Sequence, residues 1–301
     1  MEPRIIKGQV IRDASMKRYT SMRVGGRVPY LLYPEDEEDV TAAVAWLRDK
    51  DHPFRFLGNG TNVIVADEGM EGGVIRITRI RHLSFTRTPE STLVEASGGL
   101  ALGSLIRACG DRGLSGLEKL YGIPGTVGGA IKMNAGSFAA SISDCLRSMR
   151  LTNRNGTICS VDKKDVEFGY RTSSIGTGQS ILAAVFELID GDPARIKADM
   201  EHVWRERLEK HPMELPSAGS IFKNKHGNPS WKYVDQAGLR GFRIGGACIS
   251  EKHPNFIVNT GNATASDVLG LIDAAKKSVR EALGVILEEE VELWGFDGHQ
   301  A

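Results

Sequence analysis

Leu120 to Gly136 reads LYGIPGTVGGAIKMNAG, and its glycines, Gly122, Gly125, Gly128, Gly129 and Gly136, limit what the surrounding chain can become. Glycine takes up positive φ without penalty and lets a ligand approach the backbone closely, and successive free N–H groups make a concavity suited to phosphate oxygens. A tight loop packed between strands would account for this stretch taken alone. A second stretch shifts the balance: FRFLGNGTNVIVAD, Phe54 to Asp67, also sets a Gly-x-Gly turn between apolar runs. A Rossmann fingerprint needs a helix after its glycines. Here the β-branched Val63, Ile64 and Val65 follow, so the turn joins two strands, and no G-x-x-x-x-G-K-[ST] is present for a P-loop. Two Gly turns outside both standard motifs point to a pyrophosphate cradle for a large dinucleotide held in another way.

Composition narrows the partners. Lys+Arg and Asp+Glu are both 38, so no global basic field draws nucleic acid or an anionic membrane to the chain. At 301 residues two or three domains are expected, and the excess of glycine, 35 of 301 residues, belongs to loops. Cys109, Cys145, Cys159 and Cys248 show no C-x-x-C spacing and read as reduced and mostly buried. The seven histidines contain no H-E-x-x-H and no i, i+4 pair, so no metal is expected. Without an apolar stretch of signal-peptide or membrane-spanning length, the expectation is a cytoplasmic protein.

Along the chain, PEDEEDVTAAVAWLRDK predicts a helix with acids in its first turn, Arg48 and Lys50 in its last, and Val40, Ala43, Val44 and Leu47 as its buried stripe. Strands are predicted near 54–57, 63–65, 74–77 and 93–96, and a helix over 100–109. The Asn155-Gly156 turn predicts a hairpin of 146–152 with 157–161. The run 181–188, apolar on both faces, reads as a central strand. Antiparallel pairs beside helices make the fold α+β. Asp192 and Pro193 open a long helix to about Lys210, with Ile196, Met200, Val203, Trp204 and Leu208 on its apolar side. A last helix is capped at Thr264 or Ser266 and stops at Gly284, before strands near 285–287 and 291–294.

Candidate chemistry rests on few residues. Ser220, in AGSIFKN, is not in a nucleophile elbow; it reads as a strand-end serine or as a hydroxyl proton donor supported by Lys223. Arg171, in GYRTSS, reads as a surface arginine or as a planar fork for a carboxylate or enolate oxygen. Glu288, Glu289 and Glu290 run together, and at least one of them is ordinary surface. His253 reads as a packed or capping histidine.

Taken together, MRVGG at 22–26, LGNGTNVIVADEG at 57–69, LEKLYGIPGTVGGAIKMNAG at 117–136, YRTS at 170–173, PSAGSIFKN at 216–224, GGACISEKHPNFIVNTGNATASDV at 245–268 and LEEEVELWG at 287–295 resemble the UDP-N-acetylenolpyruvoylglucosamine reductase (MurB) family. Each motif is modest; their order and spacing over nearly the whole chain are specific. The resemblance implies an α+β fold with a two-subdomain FAD-binding region of the vanillyl-alcohol-oxidase (PCMH) type and a C-terminal α+β substrate domain. Residues 1–80, rejoined by 285–301, would form the first FAD subdomain, 81–205 the second, and 206–284 the substrate domain. FAD, held non-covalently, would lie on Gly58, Asn59, Gly60, Thr61 and Asn62, and on Gly122, Ile123, Pro124, Gly125 and Thr126, with Gly128, Gly129 and Ala130 close by. Ser220 matches the family's proton donor, Arg171 and Glu290 its other catalytic positions, and Lys223 and Asn224 fall at its substrate contacts.

By the same resemblance NADPH is the hydride donor and a UDP-sugar the substrate, in peptidoglycan precursor synthesis for the cell wall, with the protein a monomer or weak oligomer. Glu289 stands where the family usually has Pro, and His211-Pro212 replaces a common Gln-Pro. There is no room between Arg171 and Ile181 for the Tyr loop of the longer class, so the chain resembles the shorter one. Two other classes stay open. A different flavin oxidase or dehydrogenase on the same fold often tethers FAD through His or Cys, which neither Gly turn contains, and a nucleotide-sugar-binding protein without turnover would leave any bound flavin oxidised when NADPH is added.

Overall fold

Asp36 accepts the Asp39 N–H at 2.8 Å and so caps helix α1 (Glu37–Asp49), whose Val40, Ala43, Val44 and Leu47 are buried as the sequence predicts. They cover a sheet in which Arg27–Tyr33, Gly73–Arg76 and Phe54–Leu57 run parallel, with Ile75 opposite both Leu32 and Phe56. Gln9–Ser15, not expected as a strand, adds an edge. Val63–Val65 follows the first Gly turn as a strand, as expected, but it does not join this sheet; it pairs in parallel with Glu292–Trp294.

The structure, a computed structural model, describes residues 6–225 and 227–296, so 297–301 of the expected returning segment lie outside the described residues. The chain divides into two units. One comprises Tyr30–Asn59 and Gly72–Glu206 with the N-terminal residues up to Arg12; the other comprises Asp13–Pro29, Gly60–Glu71 and the chain from Arg207 onward. By this clustering 13–29 and 60–71 group with the C-terminal part, whereas the expected segments were 1–80 rejoined by 285–301, 81–205 and 206–284.

The larger sheet of the first unit is antiparallel, in the order Ile158–Asp162, Leu146–Thr152, Ser180–Asp190, Thr92–Ser97, Leu83–Arg87. Ser180–Asp190 is central, as its two apolar faces predict: Ala184, Phe186 and Leu188 enter the core with Leu102, Leu105 and Ile106 of helix α2 (Leu102–Gly110), while Leu182 packs with the α1 stripe. The Gly-rich stretch contains a short helix, α3 (Val127–Lys132), that the sequence reading did not separate from the turn before it. Helix α4 (Pro193–Lys210) carries the chain from one unit to the other. Its apolar side is narrower than predicted: Ile196 and Val203 are buried, but Trp204 and Leu208 are exposed.

In the second unit Ser217–Ser220, Phe256–Asn259, Ala247–Ile249 and Arg243–Ile244 form an antiparallel sheet, packed with α5 (Ser230–Gln236) and α6 (Ala265–Leu283). Thr264 and Asp267 form a capping box at α6, and Asp67 accepts the N–H groups of Ala265 and Ser266 at 2.8 Å each. Val268, Leu271, Ile272, Ala275 and Val279 are buried along one face. The predicted strand at 285–287 is not assigned: Ile286 is exposed, and its carbonyl accepts from Lys225 Nζ at 2.8 Å.

Candidate functional site

The two Gly turns meet within the first unit at their adjoining ends. Gly58 lies so close to Thr126 that an added Cβ would stand 2.5 Å from its Oγ1. Asn59 Nδ2 donates to the Gly125 carbonyl at 3.3 Å, and Arg76 Nε donates to the Gly58 carbonyl at 3.2 Å. Gly122 and Gly125 have φ of 80° and 131°, values that side chains rarely adopt, and between them they turn the backbone around Ile123 and Pro124. Among the described residues no hydrogen bond reaches the N–H of Gly122, Gly125 or Thr126. Unpaired amides on a tight turn are the donor set an anionic pyrophosphate requires.

The next amides are spent on the fold. Val127 donates to Leu100 and Gly128 to Gly98, both at 2.9 Å, while Gly129 reaches Thr126 Oγ1 at 3.3 Å and Ala130 the Thr126 carbonyl at 2.9 Å. Gly128 serves close packing of α3 on the sheet, since a Cβ there would meet the Ile181 carbonyl at 3.0 Å. The amides of Gly128, Gly129 and Ala130 are therefore engaged within the protein, next in sequence to the open amides of the turn.

Arg171 occupies a turn with φ 54° between the short paired strands Phe168–Gly169 and Thr172–Ser173. Its guanidinium donates to the Gly136 carbonyl at 2.7 Å, Asn134 Nδ2 donates to the Gly169 carbonyl at 2.8 Å, and Ser173 Oγ donates to the Lys132 carbonyl at 2.7 Å. The YRTS turn and the end of the Gly-rich stretch are thus one hydrogen-bonded piece, and Arg171 is half-buried rather than a loose surface side chain.

Ser220 and Glu290 belong to the second unit, where the segments that carry them pair. Glu290 N–H donates to the Ile221 carbonyl at 2.7 Å, Lys223 N–H to the Glu288 carbonyl at 2.9 Å, and Phe222 bridges Glu289. Asn62 Nδ2 donates to the Glu290 carbonyl at 2.9 Å, and Glu292 N–H to the Asn62 carbonyl at 2.9 Å. Asn62, expected as a cofactor contact, therefore also fixes the Glu290 backbone. Gly60 sits in the same unit, its carbonyl accepting from Ser21 N–H at 2.9 Å, and Thr61 links the two. Ser220 ends its strand just after a bulge, where Gly219 has φ 81° and the register with Phe256–Asn259 shifts. Bulges re-aim the side chain that follows them. The Ser220 hydroxyl makes no hydrogen bond among the described residues.

The three acids separate by environment. Glu288 pairs with Lys223 Nζ at the surface, and Glu289, nearly buried, pairs with Lys276 of α6 at 2.8 Å. The Lys223 ammonium is thus engaged by Glu288, and Asn224 Oδ1 accepts the Ser230 N–H at 3.1 Å. His253 meets His211 and Phe256 edge-on while His211 stacks on Phe256, and burial pushes both imidazoles down to about 4, so each is neutral near pH 7. The sequence reading missed Asn255, buried between His253-Pro254 and Phe256. Its signal was available: an amide next to an apolar run has to find partners when buried.

Comparison with known proteins places these features. Residues 28–162 match the FAD binding domain, and the whole chain superposes on 6-hydroxy-D-nicotine oxidase of Arthrobacter nicotinovorans with a TM-score of 0.57 at 11% identity, covering 96% of this chain and 88% of that one. The fold is thus that of FAD-binding flavoproteins of the vanillyl-alcohol-oxidase type, with an α+β C-terminal part. Residues 211–294 match the UDP-N-acetylenolpyruvoylglucosamine reductase C-terminal domain. The chain is 39% identical over 294 residues to UDP-N-acetylenolpyruvoylglucosamine reductase of Syntrophus aciditrophicus, covering 97% of this chain and 94% of the relative. It also superposes on the MurB crystal structure from Thermus caldophilus with a TM-score of 0.79 at 34% identity, covering 96% and 99%. The chain belongs to the UDP-N-acetylenolpyruvoylglucosamine reductase family.

Proposed function

We propose that this chain reduces the enolpyruvyl ether of UDP-N-acetylglucosamine-enolpyruvate to UDP-N-acetylmuramate in peptidoglycan precursor synthesis, with bound FAD and with NADPH as hydride donor. The observation that carries the reading is the pairing of segments 220–223 and 288–290, which brings the Ser220 and Glu290 positions onto neighbouring backbone. The open amides of Gly122, Gly125 and Thr126, backed by Gly58, fit the pyrophosphate of FAD. Residues 206–284 are assigned the UDP-sugar, with Lys223 and Asn224 among its contacts.

FAD held by the Gly122–Thr126 turn would supply hydride-transfer chemistry, with NADPH as the source of the hydride, so that a C–H bond forms at the terminal carbon of the enolpyruvyl group as its carbon–carbon π bond breaks. The electron pair moves to the adjacent carbon and its carboxylate. Arg171 offers a planar cation for that charge, and Glu290 in its acid form donates a hydrogen bond to it. Ser220 Oγ gives its proton to the carbon, forming the second C–H bond, and recovers a proton from solvent.

Visible spectra of the purified protein test the reading: a yellow protein should bleach with NADPH and recover its colour with the enolpyruvyl substrate. Recovery by oxygen alone, at the rate seen with substrate, would support an oxidase instead. Ser220→Ala should be reduced by NADPH at a near-normal rate while its reoxidation by substrate slows on the order of 10²–10⁴-fold, and Ser220→Cys should regain part of that loss. Stopped-flow measurement of the two half-reactions decides it, and an alanine variant reoxidised as fast as wild type removes Ser220 from the mechanism.

A further inference from the structure

The backbone just beyond Ser220 is held by a side chain where a strand would normally hold it. Asn255 is 3% exposed. Its Oδ1 accepts the Phe222 N–H at 2.9 Å, its Nδ2 donates to the Phe222 carbonyl at 2.8 Å, and its own carbonyl accepts the Ile221 N–H at 2.8 Å. The neighbouring strand is regular at Ser217, opposite Val258, and reaches Ser220 opposite Phe256 only after the bulge at Gly219. Past Phe256 the chain leaves the sheet through His253 and Pro254, and proline has no N–H to extend the ladder. The primary amide of Asn255 supplies the missing donor and acceptor together.

The Ile221 carbonyl accepts from Glu290 N–H, so all four backbone polar groups of Ile221 and Phe222 are paired, three of them through Asn255. Gly219 leaves the backbone before Ser220 with unusual freedom, and the bonds just after Ser220 take that freedom away. We propose that Asn255 is a positioning residue: it fixes the Ser220–Phe222 backbone against Glu290, and so sets where the Ser220 hydroxyl stands when it delivers its proton. The proposal rests on the reading of Ser220 as proton donor. Misplacement of a reacting group by about 1 Å can cost on the order of 10²-fold in rate, so a shift in this backbone is felt at the protonation step.

Asn255→Asp is the discriminating change, since it keeps an acceptor for the Phe222 N–H but turns a second oxygen toward the Phe222 carbonyl. The FAD-bound enzyme should be reduced by NADPH within about twofold of wild type, with reoxidation by the enolpyruvyl substrate slowed about 10²-fold. Combined with Ser220→Ala, it should add less than about threefold to the loss caused by Ser220→Ala alone, because both act on one proton transfer. Reoxidation of Asn255→Asp at the wild-type rate, with Ser220→Ala slow, overturns the positioning role and leaves the Ser220 reading standing. Wild-type reoxidation of Ser220→Ala overturns both. Equal slowing of the two half-reactions, or losses that multiply in the double variant, makes Asn255 a structural residue and overturns the proposal. Asn255→Ser is the second variant; if neither it nor Asn255→Asp folds and retains FAD, Asn255 serves stability alone and the proposal fails.

Discussion

Glu288, Glu289 and Glu290 are chemically identical and adjacent, yet each meets different surroundings. Glu288 is exposed and paired with Lys223; Glu289 is paired with Lys276, with side-chain exposures of 9% and 25%; Glu290 is held through its backbone by Ile221 and Asn62. Glu290→Gln should slow substrate reduction far more than flavin reduction, while Glu288→Gln leaves both nearly unchanged. Glu289→Gln should cost about 1–3 kcal/mol of stability, between the values for exposed and buried ion pairs, without a selective loss in either half-reaction. Denaturant midpoints and stopped-flow rates on the three variants check this, and a selective catalytic loss in Glu289→Gln would place the active carboxylate one residue earlier.

Among the elements, legibility followed local periodicity. Helix α1, the central strand, the Asn-Gly hairpin and α6 with its Thr264 cap and Gly284 stop were readable because their buried faces repeat within a few residues. The strand Gln9–Ser15 has no such face, only one of its residues being buried, and α3 is short and glycine-bearing, so neither carried a periodic signal. The separation of the Gly-rich stretch into residues with open amides and packing residues was equally invisible, because which amide is spent depends on partners such as Gly98 and Leu100 elsewhere in the chain. Of the proposed site, Ser220, Arg171 and Glu290 were named from their match to family motifs, whereas Asn255 required the sheet. The Gly122–Thr126 turn carries its own prediction. Gly125→Val should abolish flavin binding while the fold survives, since a β-branched residue does not take φ near 131° and would crowd the open amides. Undiminished FAD absorbance in the purified variant would remove this turn from the cofactor site. In the wild type, denaturation should release the FAD, as no His or Cys lies in either Gly turn.

For the molecule as a whole, two histidines tie stability to acidity. Burial holds His211 and His253 down at about 4, against about 6.5 in an unfolded chain. Between those values the unfolded chain binds protons that the folded one refuses, so the contribution is fully present above about pH 6.5 and is lost as pH falls toward 4. His211→Gln, which restores the Gln-Pro common in the family, should flatten the stability–pH slope in that window by at most about 1.4 kcal/mol per pH unit. Thermal melts between pH 4 and 7 measure it, and an unchanged slope would show that the imidazole at 211 is not what refuses the proton.

The pairing of Val63–Val65 with Glu292–Trp294 also orders events during synthesis. Asn62 and Glu290, joined by a hydrogen bond, are 228 positions apart, and closing such a loop costs on the order of 5 kcal/mol of chain entropy. Residues 13–29 and 60–71 leave the ribosome early, but the strand that completes their unit is translated long after them. Until it emerges, Ile64 and its β-branched neighbours wait as an unmatched edge. The first unit can mature on the nascent chain; the half that carries Ser220 and Glu290 is finished only when translation has passed Trp294.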